Sequence, residues 1–326
     1  MSNLSLAVSN FLSVPVLVFL LAVLAARLKT EVKLPDAIYQ GITIFLLVGI
    51  GLKGGHALKS TGGQDFLLPA FAALVLGILI PFLAYLLISR FKKISIDDRA
   101  SIAAHYGSTS LVTFSAGLVM LESMQVFVEP YVATLLAIME IPGIIVGIFL
   151  GLRPQRQAGE KVAIGATLRE VFMGRTVLLL IGGLVAGFAT TEDSFGKIKP
   201  MFVDLQPGIL VLFLLHLGFV VGSRLPSLRD AGIALPVFGV IMPIVGGSLG
   251  VLAGHFAGMS VGGATMLAVL TASASYIAAP AAVSLALPKA NLSIALSASL
   301  GVTFPFNLLI GLPLYLAVAN ALALTS

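Results

Sequence analysis

Stretches of about twenty apolar residues recur from one end of the chain to the other, each closed by a short polar or charged break. They fall at 6–26, 35–52, 66–88, 101–121 and 131–152, and again at 176–190, 205–221, 231–253, 263–287 and 292–324. The hydrocarbon core of a bilayer, about 30 Å thick, takes a helix of about 20 apolar residues, and lipid tolerates only backbone that satisfies its own hydrogen bonds. Charged residues make up 10% of the 326 and hydrophobic residues 58%, with a mean hydropathy of +1.09, so a water-soluble fold is excluded. The pattern predicts an all-α membrane protein of ten transmembrane helices, some kinked at Pro15, Pro142, Pro243, Pro305 and Pro313.

The most polar connection, 153–175, divides the stretches into two sets of five. A gapless offset of 167 residues superposes Gly41-Ile42 on Gly208-Ile209, Gly51 on Gly218, Gly55 on Gly222, Pro69 on Pro236 and Ser108 on Ser275. Five is odd, so a second copy of a five-helix unit enters the membrane upside down, as in the inverted repeats of secondary transporters. The expected organisation is a first repeat at 1–152, a cytoplasmic linker at 153–175 and a second, inverted repeat at 176–326. Lys and Arg test the orientation: with the N-terminus outside, the inner connections carry 15 of the 19 and the outer ones 4. That count predicts a protein of the cytoplasmic (cell inner) membrane with both termini outside. A cleaved signal is not expected, because the first basic residue, Arg27, follows the first apolar stretch.

Several functions fall away. The chain has no Cys, hence neither disulfide nor thiolate chemistry, and no long basic run for nucleic acid. Residues 54–60 resemble a phosphate-binding loop only superficially, since Leu58 stands where a Gly must precede the Lys. An intramembrane serine protease would need a base beside Ser108, for which His105 has conceivable spacing, but an internal repeat has no reason to exist in a hydrolase. A transporter, not an enzyme, is the expectation.

Two clusters could carry the chemistry of transport. His105-Tyr106-Gly107-Ser108-Thr109-Ser110 lies in the fourth stretch, and Thr271-Ala272-Ser273-Ala274-Ser275-Tyr276 with Pro280 lies in the ninth. Gly or Pro beside several hydroxyls interrupts a helix and exposes N–H groups that attract an anion near the bilayer midplane. The alternative is that these small residues only allow close helix packing. Glu140, ten residues into the fifth stretch, costs several kcal/mol as a lone carboxylate in lipid unless protonated, paired or bound to a cation. It is the candidate partner of a coupling cation, or else a protonated group bonded at the Pro142 kink. Asn307 lines the same cavity or caps a kink.

The motifs 105–110, Met139-Glu140-Ile141-Pro142, 272–280 and Leu287-Pro288-Lys289-Ala290-Asn291 resemble the sodium-dependent bicarbonate transporter family over nearly the whole chain. The resemblance implies ten helices in two inverted repeats with the fourth and ninth interrupted, core and gate domains, a homotrimer, and symport of bicarbonate with Na⁺, no other cofactor being implied. Carried to this chain, Gly107, Ser108 and Thr109 hold the anion with Ser273 and Ser275 opposite. Na⁺ lies near Ser108, Glu140 and Ser275, with Tyr276 and Asn307 in the cation-coupling set. Two features depart from cyanobacterial members: Tyr276 stands where they carry an acidic residue, and the central connection is much shorter, which does not support docking of a PII-like regulator. The expected function is sodium-dependent symport of bicarbonate or a similar small monoanion; the alternative is a proton-coupled small-carboxylate transporter.

Overall fold

A computed structural model describes residues 3–59, 63–157, 164–230 and 232–324. Among these residues the regular structure is all helix. In chain order the helices are α1 (Asn3–Phe11), α2 (Val14–Arg27), α3 (Asp36–Leu58), α4 (Gly63–Ile88), α5 (Ile96–Gly107), α6 (Leu111–Ser123) and α7 (Val132–Gln157). Then come α8 (Ile164–Met173), α9 (Arg175–Ala189), α10 (Glu192–Lys199), α11 (Gln206–Asp230), α12 (Ala234–Phe256), α13 (Val261–Ala272) and α14 (Ala279–Ala286). The chain closes with α15 (Leu292–Ala298), α16 (Phe304–Phe306) and α17 (Leu312–Ala323), joined by π-helical turns at Ser299–Thr303 and Asn307–Gly311.

This architecture corrects the expectation of ten spanning helices in two five-helix repeats. Among the described residues six helical segments are long and apolar enough to cross a membrane: Asp36–Leu58, Asp65–Ile88, Val132–Arg153, Glu192–Leu225, Ala234–Phe256 and Leu292–Ala323. The pair Gly165–Met173 and Arg175–Ala189, bent by 48°, makes a seventh if counted as one span. The difference arises because apolar composition does not guarantee a continuous helix. The fourth stretch leaves helical geometry at 108–110 and yields helices of 12 and 13 residues; the ninth does so at 273–278 and yields 12 and 8. At 1.5 Å per residue each piece is roughly 20 Å or less, short of the hydrocarbon core. The first stretch breaks at 12–13, ahead of Pro15, leaving a 14-residue α2. Of the central connection, 158–163 lies outside the described residues.

Side chains explain each break. Ser110 caps α6, its hydroxyl accepting from the Thr113 N–H, and Ser108 is extended. Ser275 Oγ accepts from the N–H groups of Ala278 and Ala279, and Pro280 sits in the first turn of α14, where its missing N–H is harmless. Glycines then set how closely the helices approach. A Cβ on Gly55 would strike the Leu184 carbonyl, so α3 lies tight along α9; one on Gly218 would strike the Phe19 carbonyl, so α11 lies tight along α2. Gly107 and Gly143 meet backbone to backbone, holding the end of α5 on α7.

One end of the bundle gathers acidic groups. Lys53 pairs with Glu122 at 3.0 Å, His56 meets Glu192 at 3.1 Å, and Lys59 donates to the Thr190 carbonyl. Glu129 at this end accepts from the Ser260 N–H and hydroxyl and so places a negative charge at the start of α13. Residues 54–58 continue α3, which removes any phosphate-binding loop there.

Candidate functional site

The two breaks cross at the centre of the bundle and bond to one another. The Ser275 N–H donates to the His105 carbonyl at 2.7 Å, and the Ser110 N–H donates to Ser273 Oγ at 2.9 Å. Helices α5 and α13 end at this crossing, while α6 and α14 begin there. Helix C-termini favour a cation and N-termini an anion, so one small volume receives partial charges of both signs from the backbone alone.

Side chains complete it. Glu140, on α7 and only 3% exposed, accepts a 2.7 Å hydrogen bond from Thr109 Oγ1. Among the described residues no Lys, Arg or His forms an ion pair with it. Thr109, Ser110, Glu140, Thr176, Ser275 and Tyr276 line a cavity of about 10 Å³, room for one water-sized particle, walled on its apolar side by Leu47, Leu111 and Leu136. Ser108 Oγ is fully buried beside the Glu140 carboxylate, without a hydrogen bond of ordinary geometry among the described residues.

The crossing thus unites Thr109, Glu140, Ser275 and Tyr276 on one cavity and holds Ser273 beside it. Gly107 serves by backbone approach to Gly143. Asn307 does not line the cavity: its amide donates to the Ala272 carbonyl at 2.8 Å and its Oδ1 accepts from the Tyr315 hydroxyl, closing the C-terminal end of α13. His105 does not activate Ser108. Its Nδ1 faces the Ser101 carbonyl at 2.7 Å and Ser108 Oγ makes no hydrogen bond with the imidazole, so the geometry of a serine nucleophile is missing.

Ser110 and Thr176 went unassigned in the sequence reading. Ser110 lay within the quoted cluster, where its position three residues before Thr113 marks a helix cap; Thr176 carried no signal, because only the docking of α9 brings it to the cavity. Among the described residues no three His, Asp or Glu side chains cluster as a metal site, so a cation here would take hydroxyl, carboxylate and carbonyl oxygens.

A multi-pass membrane protein in which interrupted helices cross around a buried, hydroxyl-lined cavity has the makings of a transporter, with the discontinuous helices supplying the ion-binding backbone. The family model described as the Na⁺-dependent bicarbonate transporter superfamily matches residues 15–320, and the chain belongs to that family. It is a secondary transporter, a permease and not an enzyme. A search among curated proteins finds no match.

Proposed function

We propose that the protein couples Na⁺ entry to the uptake of bicarbonate or a similar small monoanion across the cytoplasmic membrane, and that the crossing of the two breaks is where both ions bind. The observation that carries this reading is the pairing of Glu140 with Thr109 at a place where two helix N-termini and two C-termini converge. The anion takes N–H and hydroxyl donors from 108–111 and 273–279, and Na⁺ takes oxygens of Thr109, Glu140 and Ser275. Because no Lys or Arg lines this cavity, the bound anion is neutralised by helix ends and the co-bound cation, which makes binding of each ion depend on the other.

The proposed orientation puts the connections rich in Lys and Arg in the cytoplasm. The opposite end, with Lys53, Lys59, Lys197 and Lys199 against Asp65, Glu122, Glu129, Glu192, Asp193 and Asp204, then faces outside. Pro243 and Gly247 of α12 lie against Tyr315, and Gly239 against Val302, so the last helix runs with α12 toward the Glu129 end; this supports an external C-terminus. Asn10 donates to the Leu308 carbonyl and α1 packs along α17, which supports an external N-terminus. A trimer, as the family resemblance implies, completes the proposal.

The test is uptake of a panel of anions into proteoliposomes with and without a sodium gradient. Concentrative uptake that needs sodium and favours bicarbonate is the expected result. One observation favours a second reading: Glu140 without a basic partner is also a group that could carry a proton. Under proton coupling, uptake follows an imposed pH gradient and persists at zero sodium.

A further inference from the structure

Beside the ion site lies a second cavity of about 240 Å³, and the two share Thr176, Ile277 and Ala278 as a common wall. Charged groups line this larger space: Glu170, near the end of α8, and Arg175, the first residue of α9, across the 48° bend at Gly174. Arg175 forms no ion pair with Asp or Glu among the described residues. A cation at the start of a helix opposes the helix dipole, and the first turn of α9 offers neither an acidic residue nor a side-chain cap to offset it. The position is locally unfavourable and opens onto a cavity, which is where a functional reason should be sought.

A third cavity of about 190 Å³, lined by Lys53, Glu122 and Asp204, lies toward the acidic end and shares no residue with the ion site. Of these two further cavities, it is the Arg175 cavity that adjoins the ion site.

We infer that the Arg175 cavity is the vestibule through which the anion passes between the ion site and the basic side of the membrane, and that Arg175 sets the anion's local concentration there while Glu170 moderates it. This rests on the proposed function for the identity of the anion. A space of this volume admits a hydrated small anion, whereas the adjoining site, about 10 Å³ in this conformation, must widen to take the anion beside Na⁺. One guanidinium facing such a cleft raises the concentration of small anions and lowers that of cations, and salt screens the effect. Arg175 is thus a positioning residue for transport from that face; it does not line the ion site.

The chain has no native Cys, so a single reporter thiol gives a readout independent of transport. Ala281 is exposed in the vestibule, and Ala281→Cys is expected to react with impermeant thiol reagents in inverted membrane vesicles and not in intact cells. Comparing an anionic with a cationic methanethiosulfonate reports the local potential. Arg175→Gln should lower the anionic-to-cationic rate ratio roughly five-fold, as expected for removing one charge several ångströms away across water. Arg175→Lys should restore the ratio, Glu170→Gln should raise it, and high salt should compress all three differences. In bicarbonate exchange, Arg175→Gln should raise the half-saturation measured at the cytoplasmic face several-fold and leave the external value unchanged.

A thiol at Ala281, and at Thr176 as a second reporter, that is inert from the cytoplasmic face overturns the inference, as does a rate ratio indifferent to Arg175→Gln. Labelling needs no transport, so an Ala281→Cys protein that labels as expected, beside wild-type protein that takes up no anion with sodium, would sink the proposed function and leave the vestibule standing.

Discussion

Replacing Glu140 by Gln keeps the shape of the side chain and its acceptor for the Thr109 hydroxyl while removing the charge. In the wild type the carboxylate is 3% exposed, accepts from Thr109 Oγ1 with Ser108 and the Thr109 backbone beside it, and is unpaired with any basic side chain among the described residues, so a bound Na⁺ is its natural counter-charge. Two unit charges about 4 Å apart attract by about 4 kcal/mol at an effective dielectric constant of 20. Gln relieves the desolvation that the carboxylate suffers and retains one oxygen for the cation, which offsets part of that sum. A net loss of about 1.5–3 kcal/mol remains, equivalent to a roughly 10- to 150-fold rise in the sodium concentration for half-maximal uptake. Anion selectivity should change far less. The assay is initial uptake against sodium at fixed pH, then against pH at zero sodium. Thr109→Val supplies the companion measurement: it should weaken sodium dependence in the wild type and add little in the Glu140→Gln background, since contacting residues are not additive. A folded Glu140→Gln protein with wild-type sodium dependence refutes the reasoning and leaves the residue as a structural partner of Thr109. Uptake driven by a pH gradient without sodium, together with a Glu140→Gln protein that exchanges but no longer concentrates, assigns the residue to proton coupling instead.

Other expectations follow from neighbouring contacts. Ser108→Ala and Ser275→Ala should each raise the anion half-saturation by about 10- to 150-fold, as for a lost hydrogen bond to a charged group, whereas Ser299→Ala, which removes a buried hydroxyl with no partner, should do little. Asn307→Leu leaves the Ala272 carbonyl and the Tyr315 hydroxyl without this partner, and thermal unfolding of the purified protein should register a loss of about 1–3 kcal/mol. Gly143→Ala drives a methyl group into the Gly107 carbonyl, so it should destabilise by at least about 1–3 kcal/mol, detectable in the same melt or as lost expression. For orientation, Lys93→Cys should react with an impermeant reagent only in inverted vesicles and Asp193→Cys only in intact cells; the opposite pattern reverses the proposed topology.

Composition and the recurrence of apolar stretches by themselves determined that this is a multi-pass helical membrane protein, because lipid leaves few other options for a chain so poor in charge. The residues of 105–110 and 271–280 also marked where the helices break and the candidate site lies, since hydroxyls beside Gly and Pro have little use in a plain spanning helix, and Glu140 stood out for its cost in lipid. The 167-residue offset suggests two five-helix repeats, which the six or seven spanning segments among the described residues do not bear out; in the structure Gly51, Gly55, Gly218 and Gly222 instead let helices touch backbone to backbone. The number of spanning helices was beyond the reach of hydropathy: a polar interruption of three to six residues barely lowers a twenty-residue average, yet it splits a helix into two pieces too short to cross. Partnership likewise needed the fold. Thr109 and Glu140 are 31 residues apart, and Ser110 and Ser273 are 163 apart. Asn307 could have lined the cavity or capped a kink, and packing instead turns it to the Ala272 carbonyl and the Tyr315 hydroxyl at the end of α13. Thr176 and Arg175 acquire meaning only because α9 docks along α3, where glycine-to-backbone contact brings its first turn beside the cavity at the crossing. Residue chemistry is local and so can be read along the chain; which groups share a cavity depends on contacts between distant segments, and those are settled when the helices pack.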